Sequence, residues 1–344
     1  MHILLKTTTA ALAGLIAAQA VAADDLTVVS FGGANKVAQI KAFYAPWEQH
    51  SSSKVIAGEY NGEMARLKVM VDSRSVGWDV VEVELPELAR GCDEGLFESL
   101  PEELFGSPSH YVSGAIQPCG VGFFIWSTVL AYNADKLTVA PTGWADFWDL
   151  RKYPGKRGLR KTAKFTLEFA LMADGVPPAE VYQILATKAG QDRAFVKLDQ
   201  IKPFIQWWEA GAQPAQYLMS GDVVMSAAYN GRISAAQKES NLKVVWAGGI
   251  YDFDAWAIPK GSKNVEAAKR FITFTLEPAQ QQRFAQAIAY GPANLEAISL
   301  LDKSILEGLP TAEDHISQQV QNSTPFWADY GESLEQRFNA WAAK

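Results

Sequence analysis

The stretch Gly221–Pro259, GDVVMSAAYNGRISAAQKESNLKVVWAGGIYDFDAWAIP, decides how the chain is read. Two apolar, β-forming runs within it each deliver a cluster of aromatic and charged residues. The first, Val223 to Ala228, leads to Tyr229-Asn230-Gly231-Arg232 and at once to a helix-like stretch from Ile233 to Lys238, so Tyr229 to Arg232 is a strand-to-helix turn. Backbone N–H groups at a helix start lack partners and carry partial positive charge; with Arg232 beside them they suit an anionic group. The second run, Lys243 to Trp246, passes Gly248 and Gly249 to reach Ile250-Tyr251-Asp252-Phe253-Asp254-Ala255-Trp256. Alternating rings and acids put carboxylates beside aromatic faces, which suits an ammonium ion.

Working outward, Leu26 to Phe31 reads as a strand, Gly32 to Asn35 as a turn, and Val37 to Trp47 as a helix. The glycine pair lets the backbone approach closely at a strand's C-terminal end, where open α/β sheets bind ligands. A ligand loop at Gly33 and a plain tight turn both fit. Lys54 to Tyr60 and Trp78 to Val83 read as further strands with a helix between them, and this alternation implies a mostly parallel, layered sheet. Glu84, just past the third strand, either meets an amine or is a solvated loop residue.

Gly120–Asn133, GVGFFIWSTVLAYN, is β-rich and apolar enough to cross between two lobes. Trp256 to Pro259 offers a return crossing. The expected organisation is therefore a leader at 1–22, a first lobe from 23–131 plus 256–344, and an inserted second lobe at 132–255. A cleft lies between the lobes and closes on ligand by bending at the crossings. In the inserted part, Arg160, Lys161 and Lys164 open a helix whose dipole disfavours cations there. Either a ligand supplies their counter-charge or they form a solvated face. Of the adjacent indoles Trp207 and Trp208, one is expected in the core, because successive strand residues face opposite ways.

Residues 1–25, MHILLKTTTAALAGLIAAQAVAADD, read as a secretory signal: Lys6 is the basic end, Ala10 to Ala18 the apolar core, and Ala20-Val21-Ala22 the cleavage site. The apolar run is shorter than the roughly 20 residues that span a bilayer. The 344 residues, 48% hydrophobic with 11 Trp, 11 Tyr and 17 Phe, can build a large core and exclude a disordered chain. A net charge of -7 without a basic block excludes nucleic acid as partner. The two cysteines, Cys92 and Cys119, form an even pair in an exported chain and point to one disulfide, with two free thiols as the alternative. The four histidines lack metal-ligand spacing, so neither metal nor cofactor is expected.

Enzymatic readings fare poorly. A serine hydrolase needs a Gly-x-Ser-x-Gly elbow, which is missing from the sequence. Asp252 and Asp254 would share one face of a strand, too close together for the carboxylate pair of a glycoside hydrolase.

The leader, the lobe order and the motifs Ser30-Phe31-Gly32-Gly33, Trp144-Ala145-Asp146, Gly221-Asp222-Val223, Tyr229-Asn230-Gly231, Asp254-Ala255-Trp256-Ala257-Ile258-Pro259 and Tyr290-Gly291-Pro292-Ala293-Asn294 together resemble periplasmic spermidine/putrescine-type solute-binding proteins of ABC importers. The resemblance spans nearly all of the mature chain. It implies an α/β, two-lobed periplasmic-binding-protein fold of type II, a monomer in the periplasm, a small-molecule ligand and a membrane permease as partner. It also implies that Asp254 stands at the amine-binding aspartate, Tyr290 at a cleft tyrosine, and Tyr229 where polyamine binders carry a tryptophan.

The chain departs from that pattern at Gly32 to Asn35 and at Lys161 and Thr162, where polyamine binders carry aromatic, polar and acidic residues. With Arg232 added, this looks like the branch that binds γ-aminobutyrate and related ω-amino acids; a plain polyamine site is the alternative. The expected ligand set is Asp254 with Trp256 and Tyr290 for an ammonium, Arg232 for a carboxylate, and Tyr229 and Trp126 along the chain, with Glu84 and Gly33 at the cleft edge. Arg232 as a mere helix cap is the competing reading.

Thiol titration of denatured, unreduced protein is expected to find neither Cys92 nor Cys119 free. Two titratable thiols overturn the disulfide, whose 27-residue separation corresponds to roughly 3 to 4 kcal/mol of loop-closure stabilisation.

Overall fold

Eight runs rich in Val, Ile, Phe and Trp become the longer strands of one twisted sheet. The computed structural model describes residues 25–344, so the expected leader and the start of the mature chain lie outside the described residues. In chain order the strands are β1 (Leu26–Ser30), β2 (Val55–Glu59), β3 (Val80–Glu84), β4 (Gly120–Asn133), β5 (Arg157–Arg160), β6 (Ile205–Trp208), β7 (Met225–Tyr229) and β8 (Leu242–Ala257). They lie in the order β2-β1-β3-β8-β4-β7-β5-β6, with two-residue strands at Ile116–Gln117, Gly291–Pro292 and Val320–Gln321 attached to β4 and β8.

Both ends of this sheet are parallel and its middle is antiparallel. β1 runs parallel to β2 and β3, and β5 runs parallel to β6 and β7, as expected where helices connect the strands. β4 and β8 pair antiparallel in the centre. The Gly120–Trp126 half of β4 lies against Asp252–Ala257, which also pairs with β3. The Thr128–Tyr132 half pairs with β7 and with the start of β8. Each lobe therefore owns one half of each long strand.

All 14 residues of β4 are buried, which explains its unbroken apolar sequence: a strand covered on both faces needs no alternation. The second run of the organising stretch is longer than its sequence suggests. It is one continuous 16-residue strand, whose pairing with β4 shifts register twice, between Gly122 and Phe124 and between Thr128 and Leu130. Gly248 supplies the irregular backbone at the second shift with φ 72°.

Helices cover each half. In the first lobe, residues 33–51, with a widened turn at Ile40–Tyr44, pack with Val265–Thr275 and Pro278–Ala287 around Phe43, Phe123, Phe271 and Phe284. In the second lobe, Trp208 is buried at the end of β6, while its neighbour Trp207 packs against Phe338 and Trp341 of the C-terminal helix Thr324–Ala342. That helix spans both lobes. Trp327 Nε1 donates to Glu168 Oε1 at 2.8 Å in the second lobe, and the helix also packs on the first-lobe helix Leu85–Asp93. A disulfide joins Cys92 in that first-lobe helix to Cys119 just before β4, with a Cα–Cα distance of 5.8 Å.

Beneath the C-terminal segment lies a buried polar chain. Tyr182 Oη donates to Asn322 Oδ1 at 3.1 Å, and Asn322 Nδ2 donates to Asp252 Oδ2 at 2.6 Å. Burial, which disfavours the charged form, pushes the Glu168 carboxyl up to about 7 and the Asp252 carboxyl up to about 8. Both acids hold protons more tightly folded than unfolded. Their contribution to stability is thus complete below the ordinary carboxylate range and is lost as pH rises through about 7 to 8. The double variant Glu168→Gln/Asp252→Asn should show a flatter stability profile on denaturation at a series of pH values, and should exceed the parent in stability above pH ~8. Parallel profiles for the two proteins would rule this out.

Candidate ligand-binding cleft

The cleft floor is set by register. Because β3 and β8 pair antiparallel with Glu84 opposite Asp254 and Glu82 opposite Trp256, side chains two apart on each strand share one face and line up their acids. Glu82 is fully buried and fully served: Asn35 Nδ2 and Gln39 Nε2 donate to it at 2.7 and 2.9 Å, and the Phe31 amide at 3.2 Å. Asp254 has less support. Trp126 Nε1 donates to its Oδ1 at 2.7 Å. Burial first, then the adjacent Glu82 and Glu84, raise the Asp254 carboxyl well above its ordinary value. A cation arriving at Asp254 would relieve that repulsion.

Around Asp254 the walls are aromatic. Trp126 meets the Tyr229 ring edge-on at 5.0 Å, and Tyr290 stacks on Phe124 at 4.7 Å. Gly231 is required here, since a Cβ at this position would lie 2.4 Å from the Tyr290 ring. Burial pushes the Tyr229 hydroxyl up to about 12, so it stays protonated and can donate. Asn230 fixes the turn between β7 and the helix Asn230–Ala236: its Oδ1 accepts from the Ser127 amide at 2.9 Å, and its Nδ2 donates to the Ala289 carbonyl at 2.6 Å.

Arg232 reaches across the cleft from that helix. Its Nη1 donates to the Gly32 carbonyl at 2.7 Å and its Nη2 to the Phe31 carbonyl at 3.4 Å. Arg232 is 7% exposed, and among the described residues its Nε has no partner. Arg232 therefore does not cap its own helix. A second guanidinium, Arg160 at the end of β5, lies over the Tyr229 ring at 5.9 Å and 3.6 Å from Glu84.

These residues enclose a cavity of about 420 Å³, its mouth included, lined by Phe31, Asn35, Asn61, Glu84, Trp126, Arg160, Glu209, Gly211, Tyr229, Arg232, Asp254 and Tyr290. The size is near the lower end of small-molecule sites. One end is acidic and carries Asp254; the guanidinium groups supply the opposite charge. Among the described residues no cluster of His, Cys, Asp and Glu can hold a metal ion, and no helix is long and apolar enough to cross a membrane.

Two expected residues stand elsewhere. Trp256 shares a face of β8 with Asp254 but is fully buried outside the cavity lining, stacked on Phe123 at 4.1 Å. Gly33 does not line the cavity either; what its missing side chain admits is the Arg232 guanidinium, whose Nη1 would lie 2.8 Å from a Cβ there. Glu84 is no solvated loop residue: it ends β3, 6% exposed. Lys164 is likewise buried and Arg160 partly so, both paired with Glu84 across the cleft, and only Lys161 of that basic cluster faces solvent. Sequence reasoning passed over Phe31, Asn35, Asn61, Glu209 and Gly211 and left Arg160 undecided. The position of Arg160 at the end of a short apolar strand was the signal available for it.

Comparison with known proteins identifies relatives of the whole chain and of its fold. Residues 18–305 match the model of the bacterial extracellular solute-binding protein family. A γ-aminobutyric acid-binding protein of Pseudomonas aeruginosa is 54% identical over 100% of this chain and 97% of its own. Among solved structures, a periplasmic binding protein of A. tumefaciens B6 in complex with glucopine superposes with a TM-score of 0.88 at 27% identity, covering 92% of this chain and 99% of the other. A structure described as a GABA receptor superposes with a TM-score of 0.82 at 33% identity, covering 93% and 98%.

Gly33 has φ +57°, and so tests the docking of Arg232. Gly33→Ala should cost about 1 kcal/mol for its backbone and about as much again for the displaced Arg232 hydrogen bond. Gly95→Ala, with φ +70° and no atom within 4 Å of the added Cβ, should cost the backbone part alone. Equal losses in chemical denaturation would show that Arg232 is not held at Gly32.

Proposed function

Because the chain belongs to the bacterial extracellular solute-binding proteins, we propose that its cleft captures γ-aminobutyrate or a similar ω-amino acid in the periplasm, as a monomer, and hands it to the membrane permease of an ABC importer. Members of this family bind solutes without transforming them. The lobe division in this reading is 23–131 with 256–344 against 132–255, the cleft lying between them.

The observation that carries the reading is one small cavity furnished with an unrelieved acid and two guanidinium groups. An ammonium at Asp254 replaces the proton that burial and Glu82 hold there. The carboxylate end meets the free Nε of Arg232, with Arg160 as the second cation. Guanidinium recognises carboxylate as a planar fork of donors, which an ammonium does not. Trp126, Tyr229 and Tyr290 border the methylene chain and leave it no water. Similarity to the γ-aminobutyric acid-binding protein supports the same ligand class. A diamine held wholly in this cavity fits less well, since its second ammonium would face Arg232 and Arg160 at low local dielectric.

Calorimetric titration of ligand-stripped protein with γ-aminobutyrate, 5-aminovalerate, putrescine and spermidine tests this. The ω-amino acids should bind and the amines should not compete. Asp254→Ala and Arg232→Ala should each weaken γ-aminobutyrate binding by about 100-fold or more, the cost of stranding one buried charge. Arg232→Ala should leave putrescine binding no worse. Unchanged γ-aminobutyrate affinity in Arg232→Ala would remove the carboxylate assignment and restore the polyamine reading.

A further inference from the structure

Beyond Glu84 lies a second cavity of about 590 Å³, its mouth included, that shares Phe31, Asn61, Glu84 and Arg160 with the first. Its polar lining brings Glu84 and Glu87 from the first lobe against Lys164 from the second. The Lys164 ammonium sits 2.5 Å from Glu84 and 2.7 Å from Glu87. Its side chain is 9% exposed. Burial works against its charge and the two carboxylates outweigh that, so Lys164 is held firmly in the charged form. Glu84 is likewise held below its ordinary value: burial opposes ionisation, and Lys164 and then Arg160 overcome it.

The segment carrying Lys164 is built to keep this position. Glu335 Oε1, on the C-terminal helix, accepts from the amides of Ala163 and Lys164 at 2.9 and 3.2 Å. The next residue, Phe165, has φ 70°, a conformation rare for a bulky side chain. Its ring is wedged edge-on against Trp126 at 5.7 Å, the same indole that donates to Asp254. Strain of this kind persists only where surrounding contacts over-determine it.

We propose that Lys164 is an internal second cation: its ammonium occupies, between Glu84 and Glu87, the place that a dicationic ligand's far end would take, and so both excludes diamines and helps to close the lobes over a monocationic one. The first cavity accepts one ammonium at Asp254, and the acids of the second are already taken by Lys164. This rests on the ω-amino-acid reading for the identity of the first ligand, while the cation pocket itself does not. Because the Lys164 contacts cross between lobes, they exist only when the cleft is shut, and so raise the population competent to hold ligand.

Lys164→Ala removes a propylammonium-sized group, so n-propylammonium chloride is the probe, with sodium chloride at equal concentration as control. Thermal melting of the ligand-free variant should be raised by n-propylammonium beyond the salt control, whereas the parent and Lys164→Met, in which the space stays filled, should not respond. In titration, Lys164→Ala should lose about 10-fold to 100-fold in γ-aminobutyrate affinity, regain part of it with n-propylammonium, and gain binding of putrescine or a longer diamine. No specific response to n-propylammonium, or no gain of diamine binding, overturns the proposal.

If Lys164→Ala does not fold, Glu87→Gln, which loosens the grip on Lys164 without opening space, should lower γ-aminobutyrate affinity about tenfold with diamines still unbound. Unchanged affinity there overturns it equally. A parent protein that ignores γ-aminobutyrate while Lys164→Ala answers n-propylammonium would sink the ligand reading and leave the cation pocket standing.

Discussion

Like charges opposed across a strand pair set the terms for this cleft. Glu84 and Asp254 face each other across β3 and β8, with Glu82 two residues along on the same face, and all three are nearly inaccessible to water. Directly opposed carboxylates destabilise a sheet, and burial sharpens the penalty because water no longer screens it. The molecule meets each acid differently. Glu82 receives neutral donors from Asn35, Gln39 and Phe31, Glu84 receives Lys164 and Arg160, and Asp254 receives one indole N–H. The least satisfied member, Asp254, lines the cavity, and an incoming ammonium gains most there.

Those compensations also join the halves of the molecule. Lys164 and Arg160 belong to the second lobe and Glu84 and Glu87 to the first; Arg232 reaches from the second lobe to the carbonyls of Phe31 and Gly32. Opening the cleft would return all of these groups to water together. The pairs therefore act on the equilibrium between open and closed forms more than on the folding of either lobe, and a ligand adds to a balance that the protein's own charges have largely prepared. β4 and β8 are continuous through both lobes, so the chain between them can bend without breaking either core.

The C-terminal helix adds a further restraint. It fixes the Lys164 segment through Glu335 and holds the second lobe through Trp327 and Trp341, while resting on the first-lobe helix that carries Glu87 and Cys92. The disulfide anchors that helix to the start of β4. Residues distant in sequence thus govern how Glu84 and Glu87 meet Lys164.

Local chemistry was enough for the sequence to mark the long apolar strand Gly120–Asn133, the strand-to-helix turn at Tyr229 to Arg232, the acid and ring alternation around Asp254 and the even cysteine pair. Each depends on residue periodicity, turn propensity or cysteine count, and none needs a distant partner. Tertiary structure alone decided that Trp256, on the same face of β8 as Asp254, packs into the core against Phe123 and does not line the cavity. It also decided that Gly33 admits a guanidinium from the other lobe, and that Arg160 and Lys164 pair with Glu84 instead of standing free in solvent. A basic residue reads the same in sequence whether its counter-charge is water or a carboxylate some eighty positions away; only the pairing of strands across the lobes brings the two together.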